Sequence, residues 1–180
     1  MATKSTKNAT TKNAKNLTAS KVNSHDLRLH QGCVAAVNRS RHIKKTTWSA
    51  AKRAKVLDYV SYLQEKLKLL DWEITVNFSD PSEDGAVATM SPFENQRKVV
   101  LQFGETFLQQ TDEEIQQTLV HELIHCHLFA LHHSTEATVE SLAGMKALKA
   151  YAPSLNSLIE STTDIIADAI APLLDKKFKF

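Results

Sequence analysis

Apolar residues recur at helical spacing between Ser49 and Leu70, where Val56, Leu57, Val60, Leu63, Leu67 and Leu70 mark one face and Thr47 or Ser49 can serve as N-cap. The period then changes. Trp72-Glu73-Ile74-Thr75-Val76-Asn77-Phe78 alternates apolar and polar, the pattern of a half-buried strand. A turn of loop composition spans Ser79–Gly85. Two further strands are expected over Ala86–Ser91 and Lys98–Phe103, separated by Pro92–Arg97. Thr111-Asp112-Glu113-Glu114 opens a helix, with Thr111 as cap, Glu114 at the reciprocal capping position and acids facing the positive helix end. That helix is expected to reach about Leu131. An Ala- and Leu-rich helix over Glu136–Ala150 should stop at Pro153. A last helix should cover about Ser154–Leu174, burying Leu155, Leu158, Ile159, Ile165, Ile166, Ala169, Ile170 and Leu173. Helix, three short strands, then helices describe an α+β domain over residues 47–175, with no internal repeat.

Residues 1–46 differ in kind. The first 24 are almost all Lys, Thr, Asn, Ala and Ser, with too little to bury to offset the cost of ordering, and residues 25–47 stay basic. Residues 1–53 carry twelve Lys/Arg against the single acid Asp26, whereas residues 54–180 carry ten against nineteen acids. The near-neutral total of +2 therefore joins a basic leader to an acidic body. At 180 residues the chain suits one domain. No window approaches the roughly 18 unbroken apolar residues of a membrane span. Cys33 and Cys126, the only cysteines, make no disulfide framework, which points to a reducing cytoplasm. Cys126 reads as a core residue. Trp48, Tyr59, Tyr62, Trp72 and Phe78 fall at core spacing and suggest no nucleobase platform, and residues 176–180 read as a frayed end.

The chemistry concentrates in Leu119-Val120-His121-Glu122-Leu123-Ile124-His125, an HExxH arrangement inside a helix. His121 and His125, one turn apart on one face, can converge on a single Zn²⁺. Glu122 is rotated about 100° from His121. It is therefore not a ligand, but it can reach a water on the open side of the ion and accept its proton. The flanking Leu119, Val120, Leu123, Ile124 and Leu128 put this helix in the interior, where two imidazoles and a carboxylate are costly without partners.

A third ligand is needed. Leu128 and Leu131 stand where the extended HExxHxxGxxH pattern needs Gly and His, which excludes that version. His127 faces about 200° away from His125, and His132 would lie about 10 Å further along the axis. Glu136 and Glu140 follow too closely for a separately packed helix to return them. Glu160, among Ile159, Ile165 and Ile166 on the last helix, fits better. Asp164, one turn later, can accept a hydrogen bond from the outer nitrogen of His121 and fix its tautomer.

The HELIH segment followed by an ExxxD helix resembles the gluzincin metallopeptidases, and the small size resembles the phage- and bacterium-encoded minigluzincins. The likeness covers residues 47–175. It implies a zincin-like domain with a leading helix, a short three-stranded mixed sheet, the HExxH helix and a C-terminal helix carrying the third ligand. It also implies His121, His125 and Glu160 as zinc ligands, Glu122 as general base, and a protein or peptide substrate. By the same likeness Val99, Val100, Leu101, Gln102 and Phe103 would form the sheet edge that pairs with an extended substrate. For the oxyanion-stabilising residue of larger gluzincins only Tyr151 and His132 offer themselves. Two other readings stand beside it. The HELIHCHLF segment also resembles the SprT-like DNA-associated proteases, with the basic leader as a nucleic-acid contact, although that family's later His-Gly ligand and four-cysteine module have no counterpart here. The third reading is a catalytically weak zincin-fold binding or regulatory module.

Overall fold

Ser49 opens the first helix by accepting the Lys52 backbone N–H on its hydroxyl at 3.2 Å. Helix α1 then runs over Ala50–Lys66 in the computed structural model, which describes residues 47–79, 85–93 and 96–180. The readings made for the leader, residues 1–46, lie outside the described residues, as does most of the turn before Gly85. Helix α1 buries Val56, Tyr59, Val60 and Leu63. It ends in a Schellman motif, with Leu69 N–H on the Gln64 carbonyl at 2.8 Å and Lys68 N–H on that of Glu65 at 3.2 Å. Lys68 holds the left-handed position of that motif, φ 58°, where glycine is usual.

Strands β1 (Glu73–Asn77), β2 (Ala88–Pro92) and β3 (Lys98–Phe103) form a mixed sheet in the order β1-β3-β2, so the domain is α+β. β1 runs parallel to β3, with Thr75 opposite Val100, and β2 runs antiparallel to it, with Met90 opposite Leu101. Val99, Leu101 and Phe103 alternate into the core. Phe103 joins Trp48, Phe78 and Phe107 in an aromatic cluster, its ring 4.2 Å from that of Phe107.

Thr111 and Glu114 form the reciprocal capping box, Thr111 N–H to Glu114 Oε2 at 2.7 Å and Glu114 N–H to Thr111 Oγ1 at 3.3 Å. The helical run that follows spans Asp112–Ile170 and is broken only at Gly144, whose φ of 81° and ψ of 168° are not helical. We call its limbs α2 (112–143) and α3 (145–170). Side-chain contacts give their direction: Gln117 hydrogen-bonds Asp168, and Gln116 Nε2 donates to the Ala171 carbonyl at 2.6 Å. The chain reverses at Gly144, and α3 runs back antiparallel along α2. This differs from the stops read at Leu131 and Pro153. Pro153 removes only the bond to the Lys149 carbonyl, and both residues are exposed, so water satisfies that group. Only Gly144 has the backbone freedom for the reversal.

The chain end is also not frayed. Phe178 is 3% exposed, stands edge-on to Tyr59 at 5.2 Å and donates its N–H to Gln116 Oε1 at 3.0 Å. Tyr59 and Tyr62, set on α1 by the helical period, supply the surface that holds this segment. Among the described residues no helix is long and apolar enough to cross a membrane.

Candidate metal centre

Ile115, Leu119 and Leu123 are fully buried and seat α2 in the core. Each such side chain contributes on the order of 1.5–3 kcal/mol. His121 and Glu122 are carried inside with them, each 4% exposed. On α3 the buried face is Ile159, Thr163 and Ala167, with the Thr163 hydroxyl satisfied by the Ile159 carbonyl at 2.9 Å. Glu160 and Asp164 each lie one residue further round and so meet the imidazoles of α2.

Ligand atoms of three residues face one point. His121 Nε2 lies 3.2 Å from His125 Nε2 and 3.4 Å from Glu160 Oε2, and His125 Nε2 lies 3.5 Å from Glu160 Oε1. A tetrahedral ion with bonds of about 2.0–2.2 Å separates its ligands by about 3.3–3.6 Å. These separations are of the size that ligands of one tetrahedral ion keep, and the three residues lie within metal-binding distance of one another. Asp164 Oδ1 lies 2.9 Å from His121 Nδ1, which leaves the His121 Nε2 lone pair directed at that point.

The electrostatics also suit a cation. Burial would depress His121, but the Glu160, Glu122 and Asp164 carboxylates hold it above its ordinary value. His125 is pushed down to about 4 by burial, with the neighbouring imidazoles adding to the effect against the Glu160 carboxylate. Two imidazoles that cannot both ionise, among three carboxylates, form a half-buried site of negative balance. A divalent ion would offset it. Burial pushes Glu122 up to about 7, and the Met90 backbone N–H, a hydrogen-bond donor to its carboxylate, works in the opposite direction.

That last bond locates the nearest sheet edge. Phe93 N–H bonds the Lys98 carbonyl and Gly104 N–H bonds that of Val87, so residues 87, 89, 91 and 93 turn their backbone groups toward β3. Ala88 and Met90 turn theirs outward, toward α2. A cleft of about 200 Å³ lies there, between Ala88, Glu122, His121 and Asp164. The expectation that Val99, Val100, Leu101, Gln102 and Phe103 form the substrate edge is thus corrected. β3 is the central strand, and its backbone groups are spent on β1 and β2. The outward edge beside the cluster belongs to β2.

The remaining candidates lie apart from the ligand triangle. His132 is buried with Nε2 3.5 Å from Glu136 Oε1, an i,i+4 pair further along α2. Tyr151 is 39% exposed on α3, about 13 Å of helical rise from Glu160. His127 faces away, its Nε2 2.8 Å from the Leu67 carbonyl. Cys126 is buried with Sγ 3.4 Å from the Met90 sulfur, and burial pushes its thiol up to about 12. Sequence reasoning missed Ala88 and Met90, because which strand ends at an edge depends on pairing between distant segments.

Comparison with protein families, with curated proteins and with solved structures finds no match for this chain.

Proposed function

We propose that this protein is a zinc-dependent metallopeptidase of the gluzincin type, hydrolysing peptide bonds of a protein or peptide substrate in a zincin-like domain. The observation that carries the reading is the convergence of His121 Nε2, His125 Nε2 and the two Glu160 carboxylate oxygens, with separations of 3.2, 3.4 and 3.5 Å. Those residues would hold the ion. When bound, zinc supplies a Lewis acid that brings the pKa of a water toward 7 and polarises a carbonyl.

The chain's own residues do the rest. Glu122 follows His121 by about 100° of helical rotation. Its carboxylate takes a proton from water on the cleft side and returns it to the departing amine nitrogen. The Met90 N–H fixes the carboxylate's orientation. Asp164 holds the His121 tautomer. The outward backbone groups of Ala88 and the Met90 carbonyl offer hydrogen bonds to the main chain of an extended peptide, which gives affinity with little demand on side-chain sequence. Glu160 is favoured over His132, the later histidine a SprT-like arrangement would call on, because the Glu160 carboxylate reaches both imidazoles whereas His132 is not part of the group. A purely structural zinc would ask for four protein ligands, and the group here among the described residues has three.

The test is Glu122→Gln. The variant should retain one zinc per chain while cleavage of a peptide library falls by about 10²–10⁴-fold. Cleavage at the wild-type rate would remove Glu122 from the mechanism.

A further inference from the structure

A second cavity, of about 530 Å³, opens on the side of α2 opposite the ligand triangle. Residues 126, 130 and 133 of its lining lie roughly 100–160° around the helix from His121 and His125. We propose that this cavity binds a nucleoside monophosphate unit, either as a free nucleotide or as an unpaired nucleotide of a single strand. Its base would lie against Trp72, Phe129 and His133, with its phosphate at Lys68.

The aromatic wall is a corner. Trp72 stands edge-on to Phe129 at 6.0 Å and 82°, and Phe129 lies near-parallel to His133 at 5.9 Å and 12°. All three are half-buried, so ring surface faces the cavity. Trp72 falls at core spacing in the sequence, but it ends at the margin of the core, where a flat π-system can stack on it. The volume suits a mononucleotide. Gln96 and Ser134 add hydrogen-bonding groups along the lining.

Lys68 supplies the second, independent observation. It occupies the left-handed position of the Schellman motif that closes α1, where glycine would be the stabler residue. Helix termination therefore does not account for a lysine there. His127 clamps the same turn to α2 through the Leu67 carbonyl at 2.8 Å, and so holds Lys68 at the cavity rim. Arg97 on the rim is engaged by Asp71, whereas among the described residues no carboxylate pairs with Lys68. One cation without a carboxylate partner among the described residues, beside an aromatic corner, matches one phosphate beside one base. The inference is independent of the peptidase reading.

The experiment titrates the full chain with adenosine monophosphate, with an eight-nucleotide single-stranded oligodeoxyadenylate and with inorganic phosphate, following tryptophan fluorescence and binding heat. At least one of the two nucleotide probes should bind saturably and quench fluorescence, while phosphate alone leaves it unchanged. Comparable affinity per site for both probes assigns a free nucleotide. Much tighter, salt-sensitive binding of the oligomer assigns a strand. Lys68→Gly should weaken binding by about tenfold or more without lowering the Tm, because the backbone gains from glycine. Trp72→Leu should remove the quench. Absence of binding by both nucleotide probes overturns the proposal, as does wild-type affinity in both Lys68→Gly and Trp72→Leu.

Discussion

Asp164 Oδ1 stands 2.9 Å from Nδ1 of His121, one turn beyond Glu160 on the same helical limb. One α3 face thus supplies both a carboxylate at the ligand triangle and the group that orients an imidazole from behind. Asp164→Ala should weaken zinc binding by about 10–100-fold, read by competition against a chelator. Asp164→Asn, which keeps an acceptor, should recover part of that loss. Equal affinity in wild type and Asp164→Ala would show that His121 is oriented by something else.

Gly144 sets the distance between the two limbs. A Cβ there meets nothing within 4 Å, so the cost of a side chain lies in the backbone, at φ 81° and ψ 168°. Gly144→Ala should destabilise the fold by about 1–3 kcal/mol in urea unfolding. Because alanine favours continuing the helix, which would carry Glu160 away from His121 and His125, zinc affinity should fall as well. A variant with unchanged stability would mean the reversal does not need glycine.

Phe178 makes the chain end part of the core. Its ring is buried against Tyr59 and its N–H is bound by Gln116. Phe178→Ala should cost about 3–5 kcal/mol, measured by chemical denaturation. A change within about 0.5 kcal/mol, as for an exposed surface residue, would return residues 176–180 to a loose tail.

Asp175 carries a pH dependence of stability. Hydrogen bonds from Tyr62 and Lys66 lower its carboxyl to about 2, well below its ordinary value. A depressed folded value means the contribution is full above the ordinary carboxyl range and is lost as the pH falls through about 2. The Tm of Asp175→Asn should therefore lie below wild type at pH 7, with the gap closing at pH 2. The carboxylate is exposed, so the gap should be small. A gap that widens on acidification would contradict the sign.

The features legible in the sequence were those with local causes. Thr111 and Glu114 announce a helix start because the capping box is a three-residue interaction, and the alternation of Lys98–Phe103 matches β3 to the residue. His121 and His125 could be grouped because helical period fixes which residues share a face, whereas Glu160, on the other limb, had to be chosen among the later acids. What failed depended on distant partners. The edge role of Val99–Phe103 was implied by the resemblance alone, and nothing local reveals that β1 and β2 flank that strand. Pro153 looked like a helix stop, yet its one lost bond sits on an exposed face, while Gly144, an unremarked glycine in an Ala-rich run, makes the turn. The aromatic side chains of α1 hid the docking of Phe178 for the same reason, since its partner lies more than a hundred residues away.

The most direct measurement is the zinc content of purified wild type and Glu160→Ala after equilibrium dialysis at fixed free zinc. Wild type should hold one ion per chain and Glu160→Ala should lose it, with far-UV circular dichroism unchanged. A wild-type chain that takes up no zinc, or a Glu160→Ala chain that binds as tightly as wild type, would contradict the assignment of the His121–His125–Glu160 triangle as a metal site.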